Sequence, residues 1–196
     1  LLRRLVDKCK KRGIDDISVV AGYKAQNIDV SGINIIVNDN YASSGELRSL
    51  HCALSTFTDD MVIMYGDLLF RSYILRDLIE NEQPLSVVVD SAIEGVEHQS
   101  GTSDFAHCSE PDDRSMWGQA VSLSHIGKRQ VESGRPCDGR WIGMIRAKGV
   151  GRTWLVEAIA ELQQHDDFDE LGIPDLLNYL VEVGRDVRVW YIHGHW

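Results

Sequence analysis

The sequence is poor in several things, and each shortage excludes a class of protein. No apolar run approaches the ~20 residues a helix needs to cross a bilayer, so no membrane partner is expected. Only 20 Lys and Arg stand against 30 Asp and Glu in 196 residues, a formal net charge of −10 with His neutral. A summed field of that sign repels phosphate backbones, which argues against nucleic acid as a partner and leaves room only for a local basic pocket. The four cysteines, Cys9, Cys52, Cys108 and Cys137, are scattered without a Cys-x-x-Cys pair. Free thiols in a reducing, cytoplasmic setting are the expected state. The opening LLRRLVDKCKKRGI is amphipathic and has no small-residue cleavage site, so it does not read as a signal peptide. Internal repeats and low-complexity tracts are lacking as well. What remains is an ordinary globular composition, 43% hydrophobic and 26% charged, long enough for one domain with a sizeable core.

The hydrophobic pattern alternates between two periods. Leu1, Leu2, Leu5, Val6 and Cys9 predict a helix already under way at the first residue and stopped by Gly13. Short β-rich runs follow at 17–23 (ISVVAGY), 33–39 (INIIVND), 61–65, 85–91 (LSVVVDS) and 141–147 (WIGMIRA). Helical patterns cover 45–57, 72–82, 153–165 and 173–184, the last with Pro174 in its first turn and Gly184 as its stop. Continuous apolar strands separated by helices predict an α/β domain with a mostly parallel or mixed central sheet and helices on both faces. Residues 92–140, rich in Gly, Ser, Asp and Glu, predict an irregular excursion over that sheet. The closing DVRVWYIHGHW reads as a strand leading onward, so the chain is expected to be a piece of a longer one.

The stretch MVIMYGDLLF (61–70) carries the first functional signal. In open α/β sheets ligands collect at the carboxyl ends of the strands. A strand ending in Gly66-Asp67 puts a carboxylate on that rim, with Gly66 allowing close backbone approach. Such a carboxylate suits Mg²⁺, which takes few protein ligands and completes its shell with water and substrate phosphates. It also reads as a cap on the helix starting near Ser72.

Neighbouring stretches add to it. VVAGYKAQNI (19–28), VNDNYASSGELRSLHCAL (37–54), YGDLLF (65–70), VVVDS (87–91), DFAHCSEPDD (104–113), GRWIGMIRA (139–147) and VWYIHGHW (189–196) follow one another at fixed intervals. As a set they resemble nucleotidyltransferases of the sugar-phosphate and choline-phosphate type. The likeness is strongest to the phosphonate cytidylyltransferases, including the branch that serves fosfomycin biosynthesis and handles 2-hydroxyethylphosphonate. In that subgroup a Y-x-[ST]-[ST]-G-E-x-x-S-L segment follows the third strand, and YASSGELRSL (41–50) matches it.

The resemblance implies a GT-A/Rossmann-like nucleotidyltransferase fold over 1–196, with 92–140 lying on the acceptor side. It implies CMP transfer from CTP to a small phosphonate with Mg²⁺ or Mn²⁺ as cofactor, and a phosphoenolpyruvate mutase domain as a partner that is often fused. Homo-oligomer formation is left open. Relatives open with a strand and a Gly-rich loop carrying Arg and Lys, and place a second metal-binding Asp beyond a closing G-x-W. Neither stands in 1–196, so the first strand and the C-terminal end of the domain are expected to be missing. The implied site takes Asp67 as metal ligand and Lys24 as a phosphate or phosphonate contact, with Ser43, Ser44, Gly45, Glu46, Ser49 and Gly66 on the nucleotide. Asp90, Ser91, Asp104, Arg114 and Arg140 fall on the acceptor. Arg140 stands where aminoethylphosphonate users tend to show Glu; a cation there suits an uncharged hydroxyl tail, or it is a solvated surface residue.

The bland readings sit beside these. The serines read equally as helix caps, and Lys24 as an exposed surface lysine. Trp141 and Trp196 read as core and rim packing. GVGRTW (149–154) lacks the third glycine of a dinucleotide fingerprint. HGH (193–195) places two imidazoles on one strand face without a third ligand for zinc. QQHDDFDE (163–170) reads as a solvated loop. Three other functions stay in view: a sugar-phosphate or choline-phosphate nucleotidyltransferase, a glycosyltransferase, disfavoured because Asp67 is followed by Leu-Leu and not by x-Asp, and a non-catalytic nucleotidyltransferase-like domain.

Overall fold

In the computed structural model, which describes residues 1–93, 104–114, 120–128, 131–132 and 134–196, the predicted alternation of helix and strand is present. Helix α1 (Leu2–Lys10) buries Leu5, Val6 and Cys9 on one face and leaves Arg3, Arg4 and Lys10 exposed. Strands β1 (Ser18–Ala21) and β2 (Asn34–Val37) pair in parallel as a small sheet of their own. Helix α2 (Glu46–Cys52) and a 3₁₀ turn lead into β3 (Asp60–Met64), and α3 (Ser72–Glu80) into β4 (Leu85–Asp90).

The stretch expected to be irregular holds more order than its composition predicts. Its described residues form β5 (Phe105–Cys108), β6 (Leu123–Gly127) and a small hairpin, β7 (Val131–Glu132) with β8 (Arg135–Pro136). The rest of 92–140 lies outside the described residues. Strand β9 (Gly139–Lys148), α4 (Val150–Leu162), α5 (Ile173–Glu182) and β10 (Arg188–Ile192) complete the domain. Strands β5 and β6 are short, and their alternation is interrupted by a bulge between His107 and Cys108, so no clean period reaches the sequence.

The central sheet has six strands in the order β10-β4-β9-β5-β6, with β3 also on β9. Strands β3, β4 and β10 point the same way, as helix–strand alternation predicts. Between β3 and β4 runs β9, antiparallel to both, so the sheet is mixed. A strand buried on both faces reads as a plain apolar run whichever way it points, which hides its direction from the pattern. One edge of β9 meets β4. The other meets β3 along Met144–Lys148 and β5 at Gly139–Arg140.

Side chains alternate between two cores. Val87, Val89, Trp141, Ile145 and Ala147 face α4 and α5 in one. Val88, Ile142, Met144 and Ile192 face α1 and α3 in the other. Each fully buried aliphatic side chain contributes about 1.5–3 kcal/mol relative to exposure, so the two faces hold the strand ends of the site on a stiff platform. The register of β4 against β9 slips between Val87 and Val89, where β9 bulges around Gly143. Gly143 has φ +80, and a Cβ there would run into the ring of Tyr65. The bulge aims Trp141 at Tyr65, ring centroids 5.4 Å apart, while the Trp141 indole N–H donates to Met144 O at 3.1 Å.

Candidate active site at the carboxyl ends of the strands

Strand β3 ends at Met64, and Tyr65, Gly66 and Asp67 turn away from the sheet at its carboxyl edge. The Tyr65 amide donates to Gly143 O at 3.0 Å, which fixes where the turn begins. Gly66 and Asp67 are exposed, and a Cβ at Gly66 would meet nothing, so the space beside that backbone is open. Asp67 is not a helix cap: the residue capping α3 is Arg71, and its side chain makes no capping bond.

Tyr65 is half-buried and sits in the field of several acids. Its phenol is pushed up from its ordinary value, first by burial and then by the charges of Glu46, Asp104, Asp67 and Asp175. Those acids come from α2, from the residue before β5, from the β3 turn and from α5. The sequence assigned Glu46, Asp67 and Asp104 to the site; Asp175, which also accepts the Gly172 amide at 2.7 Å, was legible only as the first turn of a helix. Asp104 is itself held above its usual carboxylate range, by burial first and then by Glu46, while Arg140 pulls the other way.

That shift has a sign. An acid that binds its proton more tightly folded than unfolded penalises the folded state once it is charged, and the penalty vanishes below its ordinary range. Asp104→Asn is therefore expected to raise Tm at pH 7, with the gain fading as pH falls through about 4. Melting curves of both proteins across pH 3.5–8 check it.

The serine segment is organised differently from the capping picture. Gly45 caps α2 and has no side chain to offer; its amide donates to Asp169 O at 2.7 Å, and Leu47 N to Leu171 O at 3.2 Å. The acidic 163–170 stretch is thus not simply solvated, for its 3₁₀ turn (Phe168–Glu170) satisfies the start of α2, and Asp169 also pairs with Arg48 at 3.4 Å. A Cβ on Gly45 would strike the Leu171 carbonyl, which explains the glycine. Ser44 and Ser49 accept from the Asn38 amide at 3.0 and 3.1 Å. Asn38, 2% exposed at the end of β2, takes the Asn40 amide on its own oxygen, so it ties the strand end to α2. It was not singled out by spacing. Ser43 is exposed and bonds back to Asn40 O. Lys24 is exposed in a left-handed turn after β1, its ammonium 4.9 Å from the centroid of the Tyr23 ring.

On the acceptor side, Asp90 and Arg140 are cross-strand neighbours on β4 and β9. Arg140 is not the solvated surface residue that one reading allowed. It is half-buried, its Nε is buried with no hydrogen-bond partner among the described residues, and Trp196 lies 5.2 Å from its guanidinium. Ser91 donates to Asp112 Oδ2 at 2.5 Å and sits 3.2 Å from His193 Nδ1. Arg114 is exposed, at φ 57, with its amide on Asp112 Oδ1 at 2.8 Å. Beyond β10 the two imidazoles of HGH part company, His193 to Ser91 and His195 to Tyr73 at 2.9 Å. They do not share a strand face.

Among the described residues no three His, Cys, Asp or Glu side chains are close enough to cage a metal ion. A lone exposed carboxylate with open space beside it still matches what Mg²⁺ takes from a protein when phosphates supply the other oxygens.

The MobA-like NTP transferase domain model matches residues 1–122. The chain belongs to that family. The chain is 27% identical over 82 positions to the choline-phosphate cytidylyltransferase of Streptococcus pneumoniae strain ATCC BAA-255 / R6. That match takes in 40% of this chain and 36% of the relative's length. Among solved structures, the CTP:phosphocholine cytidylyltransferase of Streptococcus pneumoniae superposes with a TM-score of 0.70 at 18% identity, over 99% of this chain and 76% of that one. The inositol-1-phosphate CTP transferase of T. maritima gives 0.70 at 13% identity, over 97% and 72%. Those likenesses carry the α/β nucleotidyltransferase fold with its mixed sheet.

Cysteine chemistry in this chain follows from burial. Cys9, Cys108 and Cys137 are free but buried, and burial raises all three thiols, Cys108 to about 12. Cys52 is the one partly exposed thiol. Because the thiolate is the reactive form, Cys52 is expected to react first with a maleimide at pH 7.5, which peptide mass spectrometry reads directly. No helix among the described residues is long and apolar enough to cross a membrane.

Proposed function

We propose that this domain transfers CMP from CTP to a small phosphonate, with 2-hydroxyethylphosphonate favoured, and releases pyrophosphate. The observation that supports the reading is the exposed Asp67 at the carboxyl end of β3, with open space beside Gly66, together with the half-buried Arg140 across from Asp90 at the β4–β9 rim. Acids and an unpaired guanidinium thus share the rim where α/β sheets bind their ligands.

A rim this acidic repels a triphosphate, so a cation has to come between them. Mg²⁺ or Mn²⁺ on Asp67 would neutralise that repulsion and offset charge building on the α-phosphate. The remaining work belongs to the chain. An acceptor phosphonate is already an anion, so its oxygen attacks the α-phosphorus without a general base, and the bond to the pyrophosphate oxygen breaks in line. Arg140, with an unpartnered Nε, supports an acceptor oxyanion. The α2 start, with Ser43, Gly45, Glu46 and the Asn38-bound Ser44 and Ser49, supports base or ribose contacts without added positive charge. Gly66 leaves backbone room beside Asp67. Lys24 is assigned to a phosphate contact from β1. Asp104 lines the acceptor side. Alignment and charge neutralisation, more than proton transfer, are what such a reaction asks of a protein.

A second reading has its own observation. The acids around Tyr65 and Trp141 would suit a cationic head group, as phosphocholine carries, where Arg140 alone argues against one. Acceptor-dependent pyrophosphate release decides between them. With each NTP in turn, the assay compares 2-hydroxyethylphosphonate, 2-aminoethylphosphonate and phosphocholine. Preference for CTP and the hydroxyl acceptor is expected; preference for either cationic acceptor moves the assignment to the second reading.

A further inference from the structure

Asp90 lies in a place that predicts an ion pair and makes none. It sits beside Arg140 in the sheet, 5% exposed, where a buried carboxylate and guanidinium ordinarily pair. Its acceptor positions are taken by N–H groups instead. Oδ1 accepts the Ala92 amide at 3.0 Å and the Gly194 amide at 2.6 Å, and Oδ2 accepts the Trp196 indole N–H at 2.6 Å. Among the described residues no carboxylate lies within ion-pair distance of Arg140. The guanidinium rests against the Trp196 ring, with centroid distance 5.2 Å, and its buried Nε has no partner among the described residues.

The segment carrying Trp196 is fixed by contacts of its own kind. His195 accepts the Arg71 amide on its carbonyl at 2.9 Å, and its ring Nδ1 is hydrogen-bonded with the Tyr73 hydroxyl at 2.9 Å. Gly194 and His195 both have positive φ, 72 and 76. For His195 that conformation is strained and persists only where surrounding contacts impose it.

We propose that Asp90 is a positioning residue and not an acceptor ligand: it clamps Gly194 and Trp196 so that the indole holds the Arg140 guanidinium in place with its fork left open for the acceptor's oxyanion. The inference rests on the cytidylyl-transfer reading for the identity of the acceptor. The clamp itself is independent of it. A direct Asp90–Arg140 pair would cancel the charge that the acceptor needs; both Asp90 oxygens are instead engaged by N–H donors, which turn the carboxylate toward the Gly194–Trp196 segment, and the ring keeps the guanidinium from folding back.

Two variants and two readouts test it. Asp90→Asn keeps the shape but presents an amide N–H₂ toward a donor, and Trp196→Phe keeps a ring but removes the indole N–H. Each is expected to raise the acceptor KM about tenfold while the CTP KM stays within about twofold, and the double variant is expected to be no worse than either alone. Acrylamide quenching, with Trp196→Phe subtracted to isolate the Trp196 signal, is expected to show that indole more accessible in Asp90→Asn. The proposal is overturned if Asp90→Asn leaves the quenching unchanged, or if Trp196→Phe shifts the acceptor KM and Asp90→Asn does not. A wild-type protein with no acceptor-dependent pyrophosphate release would instead remove the functional reading, and the quenching difference would still decide the clamp.

Discussion

Asp67→Asn is expected to lower kcat/KM for pyrophosphate release by about 10²–10³-fold, the range for loss of one group that stabilises transition-state charge. The change swaps one oxygen for an amide of the same shape, so sterics are held constant while the negative charge is removed. Stability should hardly move. Asp67 is exposed, and no capping bond on α3 depends on it, so its ΔΔG belongs with surface substitutions, within about 0.5 kcal/mol. The diagnostic pattern is loss of turnover with an unchanged melting curve, with Asp67→Glu retaining more activity than Asn at high Mg²⁺. An Asn variant that turns over at the wild-type rate would falsify the assignment of a metal-bearing role to this side chain.

Asp60→Ala is expected to destabilise the fold by about 3 kcal/mol, and Arg146→Met by about 1 kcal/mol or less. The two residues form one ion pair at 2.9 Å, yet the side chains differ in exposure, 2% for Arg146 and 50% for Asp60. Arg146 also donates to the Asn81 carbonyl. Removing Asp60 leaves a guanidinium inside the sheet with its partner gone, and the desolvation cost is then uncompensated. Removing Arg146 leaves a carboxylate that water already reaches, and Met fills most of the vacated space. Urea melts at pH 7 measure both. Equal costs for the two changes would mean that solvent reaches the guanidinium after all.

Ion pairs of this kind show what escapes a sequence reading. Arg146 lies in an apolar strand, WIGMIRA, where its charge looks like an error in the pattern until Asp60 and Asn81 are placed over it. Arg140 is a similar case. Whether it is solvated or held at the rim depends on Asp90 and Trp196, which are distant in the chain and meet it only through the β4–β9 register and the turn after β10. The start of α2 makes the same point in reverse: Ser43 and Ser44 look like caps, yet the amides of Gly45 and Leu47 are satisfied by carbonyls of Asp169 and Leu171. Local propensity could not anticipate that, because the competing acceptors belong to another segment.

Other features were legible because their causes are local. The helix over 173–184 announces itself by Pro174 and Gly184, and the structure starts α5 at Ile173 and ends it at Glu182. The strand before Gly66-Asp67 is legible because a run of apolar, β-favouring residues gives way there to a glycine and an acid, both turn formers.

From the sequence alone come the alternation of helix and strand, the placing of Asp67 at a strand's carboxyl end, and the resemblance to nucleotidyltransferases. All depend on residue type and spacing along the chain. Tertiary structure decided the direction of β9, the entry of β5 and β6 into the sheet, the gathering of Glu46, Asp104 and Asp175 about Tyr65, and the use of Asp90's oxygens by Gly194 and Trp196. Each of these is a meeting of distant segments, and strand pairing in a sheet buried on both faces leaves no periodic trace of which neighbours it will choose.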